Sequence, residues 1–262
     1  IHTVSARLQQ GLDEISKWCS TNRMILHPGK TKSMVIATRQ KQQISPLRLS
    51  LSVHGTSIEQ VTEHRLLGVV VDNQLTWRPQ VSAVCKLVSQ KLFVLSKLKH
   101  ILDSESRLLF YNAHVRSHLD YASTVWDGCS ANIMKNLNSL HRRAAKILLV
   151  DPSLTTDQKL AKLGLLPLND HFTYNKALFM FKVWNGFAPA YIEHLFKRSD
   201  SQYGRLNKLY ITPRPRIDLF KTSPSFSGAS LWNSLPNNVK AMPSIPVFKD
   251  CLFKYLLSHQ YE

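Results

Sequence analysis

The chain has 262 residues, 44% hydrophobic and 9% aromatic, a globular rather than a disordered composition. Thirty-four Lys and Arg against 17 Asp and Glu leave a net charge of +17 and a pI near 9.9, which favours polyanionic partners. No apolar run approaches the ~20 residues of a spanning helix, and Lys182 breaks the richest one, ALFMFKVW, so a membrane partner is not expected.

Cys19, Cys85, Cys129 and Cys251 form no C-x-x-C pair, which argues against a zinc knuckle or ribbon and points to a reducing compartment. The chain opens on Ile1 rather than Met, and we read it as a portion of something longer.

In chain order, Val4, Leu8, Leu12, Ile15 and Trp18 recur every three or four residues and predict a helix over 4–20. The turn at His27-Pro28-Gly29 follows. Gly29-Lys30-Thr31 matches the end of a phosphate-binding loop, G-x-x-x-x-G-K-[ST]. Met24 stands where the first glycine belongs, and Pro28 removes a backbone donor, so this is not such a loop. Residues 34–38 (MVIAT) and 47–53 (LRLSLSV) read as strands, His54-Gly55 as a turn into a strand near Ile58, and LLGVVV (66–71) as a buried strand. Together they predict a small antiparallel sheet with a helix against it.

Beyond Trp77-Arg78-Pro79 the period becomes helical. Val81, Val84, Val88, Leu92, Leu95 and Leu102 form one stripe, with Lys86 and Lys97 on the opposite face. A second helix, about 105–123, aligns Leu108, Tyr111, Val115, Leu119 and Ala122. A third, about 131–149, stacks Leu137, Leu140, Ala144, Ile147 and Leu148 and turns Arg142, Arg143 and Lys146 away from them. These three read as a bundle. Asp151-Pro152-Ser153 marks a boundary. A short helix over 156–163 ends at Gly164, and a very apolar one spans about 169–185. An irregular segment fills 198–230, and a last helix over 246–258 carries Phe248, Leu252, Tyr255 and Leu256. The fold class is α+β and mostly α, divided as 1–78, 79–150 and 151–262.

The order of these features resembles the reverse transcriptase of LINE-type (non-LTR) retrotransposons, jockey-like ones in particular. The resemblance rests on a helix ending in Trp18, the Pro28-x-Lys30-Thr31 turn, and Leu67-Gly68-Val69-x-x-Asp72-x-x-Leu75-Thr76-Trp77. Tyr111, Tyr121 and Trp126 follow the family's thumb pattern, and SGASLWNSLPNNVKAMPSIPVFKDCLFKYLL (227–257) is close to its C-terminal ending. The resemblance implies the end of the palm over 1–78, a helical thumb over 79–150 and a C-terminal extension over 151–262. It implies that Lys30 stands near the leaving pyrophosphate, with Lys32 as competitor, and that Leu66, Leu67, Gly68 and Val69 form the primer grip. Its implied partners are an RNA template or RNA–DNA hybrid and the upstream palm and fingers of the same polyprotein, in the nucleus or cytoplasm.

The chain has no Asp-Asp and no Asp-x-Asp, the closely placed carboxylates with which polymerases hold two metal ions. No metal or other cofactor is expected in this chain, Mg²⁺ belonging to the complete parent enzyme, and no polymerisation is expected from the chain alone. Charge and helical facing together make Arg142, Arg143 and Lys146 candidate phosphate contacts, with Lys86, Lys91 and Lys97 behind them. Arg205, Arg214 and Arg216 interleave with Tyr203, Tyr210 and Phe220, a pattern that suits single strands. His114 and His118, near Asp120, have zinc spacing but lack the Glu of a catalytic motif, so a structural role is favoured. Trp232 and Leu235-Pro236 read as packing residues. A free-standing RNA-binding module and a decayed retroelement product are the rival functions.

Overall fold

The first helix forms as α1 (His2–Thr21) in the computed structural model, which describes residues 2–44, 48–199 and 209–258. The chain divides into two compact units, 1–80 and 81–262. In the first, Leu12 of α1 packs with Leu26 and Leu49 on a small core of Leu51, Val53 and Ile58. The Gln9 amide fixes that contact: its Nε2 donates to the Ser52 carbonyl and its Oε1 accepts from the Ser52 N–H, both at 2.9 Å. Val4, Leu8, Ile15 and Trp18, the rest of the helix's apolar stripe, remain exposed.

A one-turn 3₁₀ helix (Pro28–Lys30) leads into β1 (Lys32–Ser33), α2 (Arg39–Ile44), β2 (Ser52–Val53), β3 (Thr56–Ser57), β4 (Glu59–Gln60), β5 (Glu63–Leu66) and β6 (Val69–Asp72). The single antiparallel sheet expected from the pattern is replaced by three two-stranded pairs. β2–β3 and β5–β6 are antiparallel hairpins, whereas β1–β4 is parallel. Residues 34–38 form no strand. They are held by single bonds instead: the Ala37 N–H donates to the Asn73 carbonyl (3.1 Å), and the Gln42 amide donates to the carbonyls of Ala37 and Asn73. Such side-chain bonds satisfy the backbone as a ladder would.

The second unit is helical. α3 (Arg78–Leu98), which starts in the first unit, buries Val81, Val84, Val88, Leu92 and Leu95. The helix expected over 105–123 is interrupted. α4 (Ser104–Tyr111), started by the Asp103 side chain accepting the Ser106 N–H, widens into a π turn over Asn112–Arg116, then continues as α5 (Ser117–Asp120). Ala122 is left-handed (φ 51°), and α6 (Ser123–Trp126) follows. The π turn leaves Tyr111, Val115 and Leu119 buried in line.

α7 (Ala131–Leu148) packs on α8 (Thr156–Lys162), which opens with a Thr155–Gln158 capping box and is followed by left-handed Gly164. α9 (Leu168–Trp184) buries Leu168, Phe172, Ala177, Met180, Phe181 and Val183, which point to several sides of the helix, and packs on α6 and α10 (Ala190–Glu193). After α11 (Asp218–Lys221), the segment expected to be irregular to 230 forms a helix, α12 (Pro224–Ser234). Proline at its first turn suits the start. Gly228, from which a Cβ would lie 2.7 Å from Met180 Sδ, lets α12 lie close against α9. α13 (Asn237–Lys240) and α14 (Ile245–Ser258) complete the unit. Trp232, fully buried, stacks on Trp184 at 5.8 Å in a core with Phe181 and Phe248, and Leu235 is buried beside it. Both are packing residues, as read from the sequence. The segments on either side of Asp151 belong to one unit. Among the described residues no helix is long and apolar enough to cross a membrane.

Candidate nucleic-acid interface

Lys30 ends the 3₁₀ turn. The His27 carbonyl accepts the N–H groups of Lys30 and Thr31 (3.1 Å each) and the Thr31 hydroxyl (3.0 Å). The turn is therefore closed by backbone and threonine. Lys30 is exposed, and its ammonium has no ion-pair partner among the described residues. Lys32 differs: its Nζ lies 2.6 Å from Glu59 across the β1–β4 pair, and the lysine beside it holds the Glu59 carboxyl below its ordinary value. Of the two lysines, Lys30 is the one available to an incoming anion.

Leu66, Leu67, Gly68 and Val69, expected within one buried strand, form the tip of the β5–β6 hairpin. Leu66 pairs with Val69, while Leu67 (φ 48°) and Gly68 (φ 87°) make the two-residue turn. Two consecutive positive φ angles match the twist of a tight hairpin, and glycine is the residue that bears the second without strain. Leu66 and Leu67 are exposed at 60% and 85%, and Val69 is buried. An apolar run signals burial only when the chain stays straight, and this one reverses in its middle.

Asp72, which sequence reasoning used only as a motif letter, organises the following turn. Its buried carboxylate accepts the N–H groups of Gln74 (3.1 Å), Thr76 (3.0 Å) and Trp77 (2.8 Å), across left-handed Leu75 (φ 53°) and Trp77 (φ 60°). Gln80 Oε1 accepts the Val70 N–H at 2.8 Å, pinning β6 to the first turn of α3. An aspartate followed at two, four and five residues by N–H groups without strand partners was the available signal.

In the second unit, α7 exposes Arg142, Arg143 and Lys146 opposite its buried Leu137, Ala144, Ile147 and Leu148. Lys135, missed in the sequence reading, is also exposed and falls within about 20° of Arg142 in helical projection. Arg142 is engaged with Asp157 at 2.7 Å, an exposed pair of small worth. Arg143 and Lys146 have no ion-pair partner among the described residues. On α3, Lys86 and Lys97 are exposed and Lys91 is half-buried. Phe93, 57% exposed, lies between Lys86 and Lys97 on the same face, with Lys97 Nζ 5.5 Å from its ring centre. That alternation of cation and aromatic suits bases and phosphates better than either alone.

The third predicted cluster is described only in part. Tyr203 and Arg205 lie outside the described residues, Tyr210 is a core residue 3% exposed, and Arg214, Arg216 and Phe220 are exposed. His114 and His118 hold no metal cluster among the described residues, His114 packing against Phe110 at 4.7 Å. Asp120 is bound instead to His171, Asn175 and Arg116. Burial raises its pKa, but those partners outweigh burial and leave its carboxyl below the ordinary value.

Trp126, Tyr121 and Tyr111 divide by role. Trp126 is fully buried and donates its indole N–H to the Tyr121 carbonyl (3.1 Å), while the Tyr121 ring is exposed. The Tyr111 hydroxyl meets His141 Nδ1 at 3.1 Å, and His141 Nε2 meets the Leu166 carbonyl at 2.9 Å. A carbonyl can only accept, so Nε2 carries the proton and the tyrosine donates to Nδ1. Burial pushes the His141 pKa down to about 4, which keeps the ring neutral. No protein-family model, no curated protein and no solved structure matches the chain.

Proposed function

We propose that this chain is the C-terminal portion of a LINE-type reverse transcriptase, where it binds and positions an RNA template or RNA–DNA hybrid for a catalytic centre that lies upstream. In this reading the first unit is the end of the palm, Leu66–Val69 the primer grip and the α3–α7 region the thumb. The observation that carries it is the Leu67-Gly68 hairpin tip, exposed and backed by the Asp72 turn. A turn of this kind lets backbone approach a bound strand closely. The exposed cations of α3 and α7 supply phosphate contacts, and Mg²⁺ acts in the complete enzyme, not here.

Two measurements test the proposal. The message that encodes the chain should carry an in-frame Tyr-x-Asp-Asp upstream of Ile1, and a short message with its own start codon would contradict that. The isolated chain should bind RNA–DNA hybrid yet extend no primer with Mg²⁺ or Mn²⁺, because it lacks paired metal-holding aspartates. Templated synthesis by the pure chain would overturn the assignment.

A further inference from the structure

A cavity of about 400 Å³ in the second unit lies between the first turns of α7 and α9 and the side of α12, within the size range of small-ligand pockets. An ion pair that nothing above uses stands in its wall. Asp127 and Lys176 lie 2.9 Å apart with side chains only 5% and 13% exposed. Burying two charges costs more than their attraction returns unless further hydrogen bonds support them. Here that support is thin: Asp127 Oδ1 is the atom that faces Lys176 Nζ, and no other donor reaches it among the described residues. Burial raises the Asp127 pKa, against the pull of Lys176. The Asn138 and Asn169 amides, also in the wall, make no hydrogen bond among the described residues, and Phe172 and Leu231 supply apolar surface.

We infer that this cavity binds a guanine nucleotide, free or as an unpaired residue of a strand. A buried acceptor directly beside a buried donor is the complement of guanine's pairing edge, where the O6 acceptor adjoins the N1–H and N2–H donors. Lys176 takes O6, and Asp127 takes N1–H and N2–H, which gives the buried carboxylate the donors that Lys176 alone does not supply. α7 and α9 each present a first turn at the cavity, through Ala131 and Asn169, and neither helix has a side-chain cap. Those uncapped N-termini, at the edge of a base-sized cavity, suit the nucleotide's phosphate. Cys129 lines the same space, but burial pushes its thiol up to about 11, so it is a wall and not a nucleophile.

The inference goes beyond the proposed function, and its first test uses no nucleic acid. GMP, IMP, AMP and XMP are titrated against the full chain by calorimetry, with folding checked by circular dichroism. GMP should bind at least about tenfold tighter than IMP, which lacks the N2 amine, and than AMP. Asp127→Asn should lose GMP and gain XMP, whose O2 accepts from the new amide where guanine donates. Ser227→Leu, which fills the cavity and leaves the ion pair intact, should abolish binding. A second arm compares single-stranded oligonucleotides with and without one guanine. Preference there without GMP binding assigns the cavity to a strand, and GMP binding without that preference assigns it to free nucleotide. Equal affinity for GMP, IMP and AMP, or no guanine preference in either arm, overturns the inference.

Discussion

A single carboxylate, that of Asp72, holds three backbone N–H groups and the two left-handed residues between β6 and α3. Asp72→Ala leaves those donors unpaired in a buried place and should cost about 3 kcal/mol, whereas Asp72→Asn keeps one acceptor and should cost less. Urea unfolding checks the order. His141 makes stability depend on pH. Its pKa falls from 6.5 in the unfolded chain to about 4 in the folded one, through burial first, while the Leu166 carbonyl opposes and His171, Arg116 and Arg142 add to the fall. The stabilisation is therefore complete above pH 6.5 and is lost as pH drops towards 4, by roughly 3 kcal/mol at most. His141→Gln should flatten the change in urea midpoint across that window. An equal slope in the variant would place the pH dependence elsewhere. Lys30 and Lys32 separate by partner: if the proposed function holds, Lys30→Ala in the complete enzyme should slow single-turnover chemistry at least about tenfold, and Lys30→Arg should rescue poorly. Lys32→Ala, which breaks only the Glu59 pair, should leave that rate nearly unchanged.

Helices were legible where burial repeats along one face. The α3 stripe of Val81 to Leu95 is buried as the spacing predicts, Leu102 falling past the end of the helix, and the α7 stripe is buried except for half-buried Leu140. The first unit was less legible because its strands are two to four residues long, too short for an alternation to declare itself. There, contacts such as Gln9 to Ser52 and Asp72 to Trp77 do what a ladder does elsewhere, and no periodicity records them. α12 was missed because its helix propensity is poor and its small residues serve close packing. Two glycines test that packing. A Cβ on Gly128 would meet the Thr222 carbonyl and Cβ at 2.8 Å, whereas one on Gly228 would meet only the flexible Met180 side chain that closely. Gly128→Ala should therefore destabilise more than Gly228→Ala, whose cost should stay near 1–3 kcal/mol as Met180 repacks. Thermal unfolding of the two variants decides it.

Across the whole molecule the excess of 17 positive charges is distributed, but its exposed share on α7 and α3 lies on faces that carry no core residues. The cation faces were legible from the helical period. The Arg142–Asp157 pair and the Phe93 contact were not, since both depend on neighbours that period does not reveal. The proposed function requires that these faces hold phosphate. The decisive measurement is the affinity of the chain for an RNA–DNA hybrid as a function of salt, before and after Arg143 and Lys146 are changed to Ala. Each phosphate contact adds about 0.9 to the slope of log K against log[salt], so the double change should reduce the slope by about two. Adding Arg142→Ala should reduce it by less than one further, because that guanidinium is shared with Asp157. A slope that does not move, or a chain that fails to bind the hybrid at low salt, would contradict the account.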